Sequence, residues 1–365
     1  MKVAFDPQIF VLQRHGGVSR YFVELHKSLV QNELINSQII APIHFNAYLR
    51  DLPGHNGIYI PKSTDFLNFN ELIRSINFKL SERIFNTQQP DVLHETFYGD
   101  RASWQGSYRT ITTIHDLTRE RLNVDSRKIE RKARAVARAD GIISVSKNTT
   151  TDLFEFYEVP ESKVRTIYVG VSDFFRVRNE ETKALVQQEV PFLLFVGHRG
   201  GYKNWRALIK AISSSSFLKN NFKLFCFGGN PFSAEEKNLL HELELVNQVH
   251  FLQGDDKLLR SIYQNAVCMV YPSLYEGFGS PVIEAMASGC PVFTSNSSAL
   301  VESGGHAAEY FSPESVDSII ATLEKGLSSE NSLNAMAEKG LVHSQNFTWE
   351  KTARETLDFY MEFES

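Results

Sequence analysis

Glu276 and Glu284 close the two ends of Glu-Gly-Phe-Gly-Ser-Pro-Val-Ile-Glu, so that a glycine-rich loop separates two carboxylates. Ionised carboxylates only accept hydrogen bonds, and a pair at opposite ends of one tight loop can bind vicinal hydroxyls, as on the ribose and hexose of a nucleotide sugar. Glu284 also has a bland explanation, because an acid near a helix N-terminus is stabilised by about 0.3–1 kcal/mol wherever it occurs. Glu276 is harder to dismiss: Gly277 and Gly279 let the backbone beside it turn sharply and approach a ligand. A second cluster, Gly197-His198-Arg199-Gly200-Gly201-Tyr202-Lys203-Asn204, holds two cations in a glycine-rich turn. A bidentate guanidinium, a mobile ammonium and the free N–H groups of a following helix make a cradle for phosphate.

These groups need elements to aim them. Ala266–Tyr271 is a short apolar run with Pro272-Ser273 behind it, which reads as a buried parallel strand, and Phe192–Val196 is another. Ser280 is the expected N-cap of a helix with Pro281 at its first position and Gly289 at its end, which places Glu284 in the first turn. Asn204 is the expected cap of the helix after the cation loop. Similar runs alternate with helical patterns throughout: Lys2–Asp6, Ser37–Ala41, Asp91–His94, Thr110–Ile114, Gly141–Ser144 and Val164–Ile167, then Phe222–Phe227, Val249–Leu252 and Pro291–Thr294. The expected fold is α/β, two doubly wound Rossmann-like domains facing a central cleft. The charged, weakly periodic stretch from Val171 to Gln188 marks the boundary. We expect one domain over 1–173, a second over 174–351, and a terminal helix near 352–365.

Open parallel sheets bind ligands beyond the carboxyl ends of their strands, and the first half has three candidates there. Gly16-Gly17, led by Gln13-Arg14-His15, opens a helix whose stripe is Val18, Phe22, Leu25 and Leu29. His115 follows an apolar strand directly, and Asp116 beside it can set its tautomer. His94, Glu95 and Tyr98 follow another strand, although a plain polar loop explains them equally well. The run Ser126–Arg138 reads as a basic amphipathic helix with Ile129, Ala133, Val136 and Ala137 inward. Such runs are usually solvated faces; this one, in a chain of net charge −5, also suits anionic lipid.

The totals exclude several classes. A chain of 365 residues, 42% hydrophobic, can bury two cores. Net acidity and the lack of a basic motif argue against nucleic acid. The cysteines Cys226, Cys268 and Cys290 lie in or beside apolar runs, which implies reduced thiols in a cytoplasmic protein. No apolar run approaches the roughly 20 residues of a membrane span.

The Glu276 to Glu284 segment resembles the signature of the retaining glycosyltransferases of family 4, which have the GT-B fold, and other matches extend the likeness over nearly the whole chain. The resemblance implies that Glu276 contacts the transferred sugar, Glu284 the nucleotide ribose, and Arg199 with Lys203 the donor diphosphate, alongside Gly197, Gly277, Phe278 and Gly279. It implies a donor-facing loop at Gly16 and Gly17, a sugar contact at His115 and a return of the terminal helix to the first domain. His15, with His94, Glu95 and Tyr98, would face the acceptor. No Asp-x-Asp occurs, so neither metal nor other cofactor is expected, and catalysis falls to His115, Arg199, Lys203 and Glu276. Gly-Gly-Val-Ser-Arg-Tyr-Phe is similar to bacterial surface-polysaccharide mannosyltransferases, which favours a GDP-linked hexose moved to a lipid-linked or surface glycan such as O-antigen or capsule, in the cytoplasm or at the inner membrane face. UDP donors, a nucleotide-sugar epimerase and a non-catalytic sugar-nucleotide-binding subunit remain as alternatives.

Overall fold

The computed structural model describes residues 1–61, 67–99, 104, 106–177 and 190–363, with 67–71 as backbone only. Most of the charged stretch read as the boundary, residues 178–189, lies outside the described residues. The chain divides into two compact units, Met1–Gly170 with Trp349–Ser365, and Val171–Thr348.

Fourteen strands occur among the described residues. In chain order they are β1 (Lys2–Phe5), β2 (Asn36–Ile39), β3 (Ile43–His44), β4 (Ile58–Tyr59), β5 (Val92–Glu95), β6 (Arg109–Ile114), β7 (Gly141–Ser144) and β8 (Val164–Thr166) in the first unit. The second unit has β9 (Phe192–Val196), β10 (Lys223–Phe227), β11 (Val249–Leu252), β12 (Cys268–Tyr271), β13 (Val292–Ser295) and β14 (Glu309–Phe311). One sheet runs β2-β1-β5-β6-β7-β8 and another β11-β10-β9-β12-β13-β14, all parallel, while β3 and β4 form a separate pair. Each large sheet is doubly wound and reverses its direction of growth once, between β1 and β5 and between β9 and β12.

The central strands are buried at every residue, including β5, β7, β9, β12 and β13. That is why β9 and β12 read as unbroken apolar runs instead of alternating ones. Helices cover them with apolar stripes; Trp205–Ser214 buries Trp205, Leu208, Ile209, Ala211 and Ile212 against the second core. Ser233 and Glu236 form a reciprocal capping box on the helix Ala234–Glu242, an arrangement that fixes the Glu236 carboxylate in place. The last helix, Trp349–Met361, belongs to the first unit. It packs along Gly17–Leu29, with Trp349 and Tyr21 rings 5.5 Å apart and Tyr360 bonded to His94 at 2.5 Å. No helix among the described residues is long and apolar enough to cross a membrane.

Burial dominates the histidines of the first unit. It lowers His26 and His44 to about 4, helped by His55, and His94 to about 3, helped by His115. His115 likewise falls to about 4. These rings take up protons in the unfolded chain at about 6.5 but stay neutral when folded, so their stabilisation is complete above that pH and is lost as pH falls toward 4. The unfolding free energy from urea melts should therefore be level above pH 7. It should decline between pH 6.5 and 4, by up to about 1.4 kcal/mol per pH unit for a fully buried ring such as His94. A level profile across that window would contradict the buried, neutral state of these rings.

Candidate active site

The loops after β9 and β12 flank the switch point of the second sheet, and they carry the two charged clusters. Gly197 adopts φ 125, which favours glycine, and a Cβ there would lie 3.6 Å from Cε of Lys203. The lysine stem passes close over this backbone. Its Nζ donates to Oε1 of Glu276 at 2.6 Å and to the Tyr271 hydroxyl at 2.5 Å. Lys203 and Glu276 are each 12% exposed, so both charges are largely out of water yet reachable. Tyr271 ends β12 fully buried, and burial together with Glu276 pushes its phenol far above the usual range. The Glu276 N–H donates to Ser298 Oγ at 2.9 Å, with Ser298 in the left-handed region at φ 51. His198 is held below the ordinary imidazole range, by burial first and by Lys203 second.

Arg199 has a different environment from the open cradle expected for it. Four of its five N–H donors are turned to Glu236, the Gly228 carbonyl and the Asn230 carbonyl. The guanidinium also lies over the rings of Phe232 and Phe251, at 4.6 and 5.4 Å. Burial alone would raise Glu236, but the bonds from Arg199 and the Ser233 N–H outweigh it and hold the carboxyl below its ordinary value. With its side chain 3% exposed, Arg199 fastens the cation loop to the next strand-to-helix connection. The sequence does carry a signal for its partner, the Ser-x-x-Glu capping pattern at Ser233 to Glu236.

The helix after Glu276 also departs from expectation. It spans Ser280–Ala287 with Gly279, at φ 89, as N-cap, so Ser280 is the first helical residue and not the cap. Glu284 therefore lies in the second turn, beyond the stretch where dipole stabilisation alone accounts for an acid. It is 8% exposed and accepts from the Tyr263 hydroxyl at 3.3 Å. A Cβ on Gly279 would sit 2.6 Å from Leu300 Cδ2, a second reason for glycine there. Phe278 is buried, its ring 5.5 Å from that of Phe347, and holds the loop by packing. Asn204 takes the cap position before Trp205–Ser214, but its side chain makes no capping bond and instead donates to the Pro313 carbonyl at 2.7 Å.

In the first unit, Gly16 is the N-cap of Gly17–Leu29, and Gln13 reaches back so that its Oε1 accepts the Ser19 N–H at 3.1 Å. The polar lead thus caps the helix. His15 is exposed, edge-on to Tyr48 at 5.6 Å. His115 lies against Tyr21 and Phe22, and among the described residues its Nε2 is buried without a hydrogen-bond partner. The ring thus keeps one hydrogen-bonding nitrogen unused among the described residues.

The other histidine is different: His94 and Glu95 are the last two residues of β5, both buried, and do not form a loop facing an acceptor. Both ring nitrogens of His94 are taken, by Tyr360 and Thr113, and Glu95 is gripped by Arg138 at 2.8 and 2.9 Å. Tyr98 donates to the Thr113 carbonyl and accepts the His115 N–H. The basic helix forms over Ser126–Arg138, but Lys132 and Ala135 are buried beside Val136 while Ala137 is exposed. Lys132 points inward because Glu120 and the Asp116 carbonyl bind it at 2.9 and 2.7 Å.

Residues 15–173 match the family model described as Glycosyltransferase Family 4, and residues 177–342 match that of Glycosyl transferases group 1. An uncharacterized glycosyltransferase of Methanocaldococcus jannaschii is 30% identical over 60% of this chain and 59% of that protein. O-antigen chain mannosyltransferase B of Escherichia coli is 24% identical over 69% of this chain and 70% of that protein. The crystal structure of Anabaena HepE in complex with UDP and glucose superposes with a TM-score of 0.79, covering 99% of this chain and all of that one at 15% identity. Two glycosyltransferase family models in succession, together spanning most of the chain, and the doubly wound sheets identify it as a glycosyltransferase of the GT-B fold, its first half belonging to Glycosyltransferase Family 4 and its second to Glycosyl transferases group 1.

Proposed function

We propose that the chain is a retaining hexosyltransferase that takes its sugar from a nucleoside diphosphate, GDP-mannose or a related GDP-sugar, and passes it to a growing lipid-linked or surface glycan. The observation that carries this reading is the Lys203–Glu276 pair at the switch point of the second sheet, with Glu284 on the following helix. A phosphate oxygen arriving at Lys203 exchanges one anionic partner for another. Glu276, released, accepts from hexose hydroxyls while Glu284 accepts from the ribose. Lys203 then stabilises charge on the departing diphosphate, the task a divalent ion has in metal-dependent transferases. Gly197, Gly277 and Gly279 keep the backbone close to the donor, with Gly16 and Gly17 in the same role on the first unit.

His115, neutral near pH 7, contacts a sugar hydroxyl through Nε2 and does not act as general base. Arg199 supports the diphosphate through its remaining donor and through the loop it fastens. Retention follows same-face attack, with the diphosphate itself receiving the acceptor proton. His15 and Tyr98 stand on the acceptor side. The exposed cations Arg127, Lys128, Arg131 and Arg134 favour work at the inner face of the cell membrane. The mannosyltransferase relative supports the choice of hexose; the choice of base rests on the likeness around Gly16 and Gly17.

Lys203→Ala should keep its fold by circular dichroism while turnover falls roughly 10²- to 10³-fold; unchanged transfer kinetics would remove Lys203 from the mechanism. Glu284→Ala should weaken binding of the free nucleoside diphosphate in calorimetry, and equal affinity would contradict the ribose contact. Melting the protein with GDP, UDP, ADP and dTDP identifies the base, since a ligand of the native state raises the melting temperature. No shift with any of them would refute the donor class. Glu236→Ala should instead act on stability, by about 3 kcal/mol in a denaturant melt, because it strands a buried guanidinium. Full stability would show that Arg199 does not depend on Glu236.

A further inference from the structure

Beyond the carboxyl ends of β1 and β5, at the switch point of the first sheet, a cavity of about 400 Å³ lies within the first unit. This is the place in a doubly wound sheet where ligands bind, and the volume falls in the range of small-molecule sites. Its wall combines two chemistries. Leu12, Phe78 and Phe97 give it an apolar lining, while Arg74, Arg119, Lys128, Arg131 and Lys132 also line it, with no aspartate or glutamate among the described lining residues.

The cations are not equivalent. Lys132 is fully buried against Glu120. Lys128 and Arg119, 51% and 36% exposed, share Asp125 at 2.6 and 4.0 Å, a solvent-facing arrangement that an arriving anion can enter at little cost. Asn77 adds an independent sign of a ligand. It lines the cavity at 1% exposure, and its Oδ1 accepts the Ile43 N–H at 2.9 Å. Its Nδ2, buried, has no partner among the described residues. Buried amide donors in native proteins are nearly always bonded, so a ligand oxygen is the fitting acceptor.

A sugar or free phosphate would gain nothing from the apolar lining, and a bare hydrocarbon nothing from five cations. We propose that this cavity binds a phosphorylated hydrocarbon chain: the phosphate lies at Lys128 and Arg131 within reach of Asn77, and the chain runs along Leu12, Phe78 and Phe97. Reading that molecule as the lipid end of the glycan acceptor rests on the transferase assignment; the binding itself does not. The basic helix then acts as the clamp on one lipid's headgroup.

Calorimetry on the full chain with octyl, decyl and dodecyl phosphate, each below its micelle concentration, tests this. Affinity should rise about fourfold per added methylene until the cavity is full. Inorganic phosphate and dodecanol should each bind far more weakly. A Lys128→Glu, Arg131→Glu double variant should lose roughly tenfold or more in affinity, and Leu12→Trp, which fills the lining, should abolish the dependence on chain length. Dodecanol binding as tightly as dodecyl phosphate, or no dependence on chain length in the unaltered protein, would overturn the proposal. So would binding only to phosphatidylglycerol vesicles, undiminished by Leu12→Trp, which would make the helix a membrane contact. Nucleoside diphosphate binding, measured in parallel, separates the two readings: its absence with alkyl phosphate binding intact rejects the transferase and keeps the cavity, and the opposite pattern does the reverse.

Discussion

The candidate site of the second unit is built on one ion pair, Lys203 with Glu276, braced by the phenol of Tyr271. Taking either charge out of water alone costs several kcal/mol, and pairing offsets that cost only while both partners are present. The pair joins the loops of β9 and β12, adjacent strands that lead to opposite halves of the sheet. A ligand that takes the lysine must also satisfy the glutamate. An anion without neighbouring hydroxyls leaves a carboxylate stranded, and a polyol without an anion cannot displace it. On the proposed reading, the site selects for molecules carrying both groups close together, before any contact to a base or a particular sugar is made.

Much of this arrangement was legible in the residues. Strands β7, β9 and β11 coincide with the runs read for them, and β9 shows why most clearly, since a strand buried on both faces favours apolar residues throughout. Misreadings fell where a distant partner decides the outcome. Lys132 sits inward because Glu120 waits for it, and Ala137, which fits the stripe, faces solvent. His94 and Glu95 extend β5 because Tyr360, Thr113 and Arg138 satisfy their polar atoms. The pair β3 and β4, two residues each, is too short to show a period, and β14 was hidden because its outer residues Glu309 and Tyr310 are not fully buried.

The candidate site shows the same division. Both glutamates and the lysine announced themselves by type and spacing, and the glycines by what surrounds them. Tyr271 did not, because a tyrosine ending an apolar run looks like core until its hydroxyl is seen between two charges. Ser298 is invisible for another reason: its role depends on a left-handed backbone, a conformation that serine seldom adopts. Arg199 was read as a phosphate-binding cation, but a guanidinium that binds phosphate and one that staples loops look alike in one dimension. Only its carboxylate and two aromatic neighbours distinguish them.

The division of the chain has a bearing on how the molecule is made. The second unit is one continuous segment, Val171–Thr348, whereas the first needs Trp349–Ser365 to complete it. Domains fold as units during synthesis, generally the N-terminal one first. Here the first unit cannot be completed first: every residue of the second unit is synthesised before the helix that covers Tyr21 and holds His94. Until that helix is made, the first-made part of the polypeptide lacks the cover over Tyr21 and the partner of His94 that complete its core.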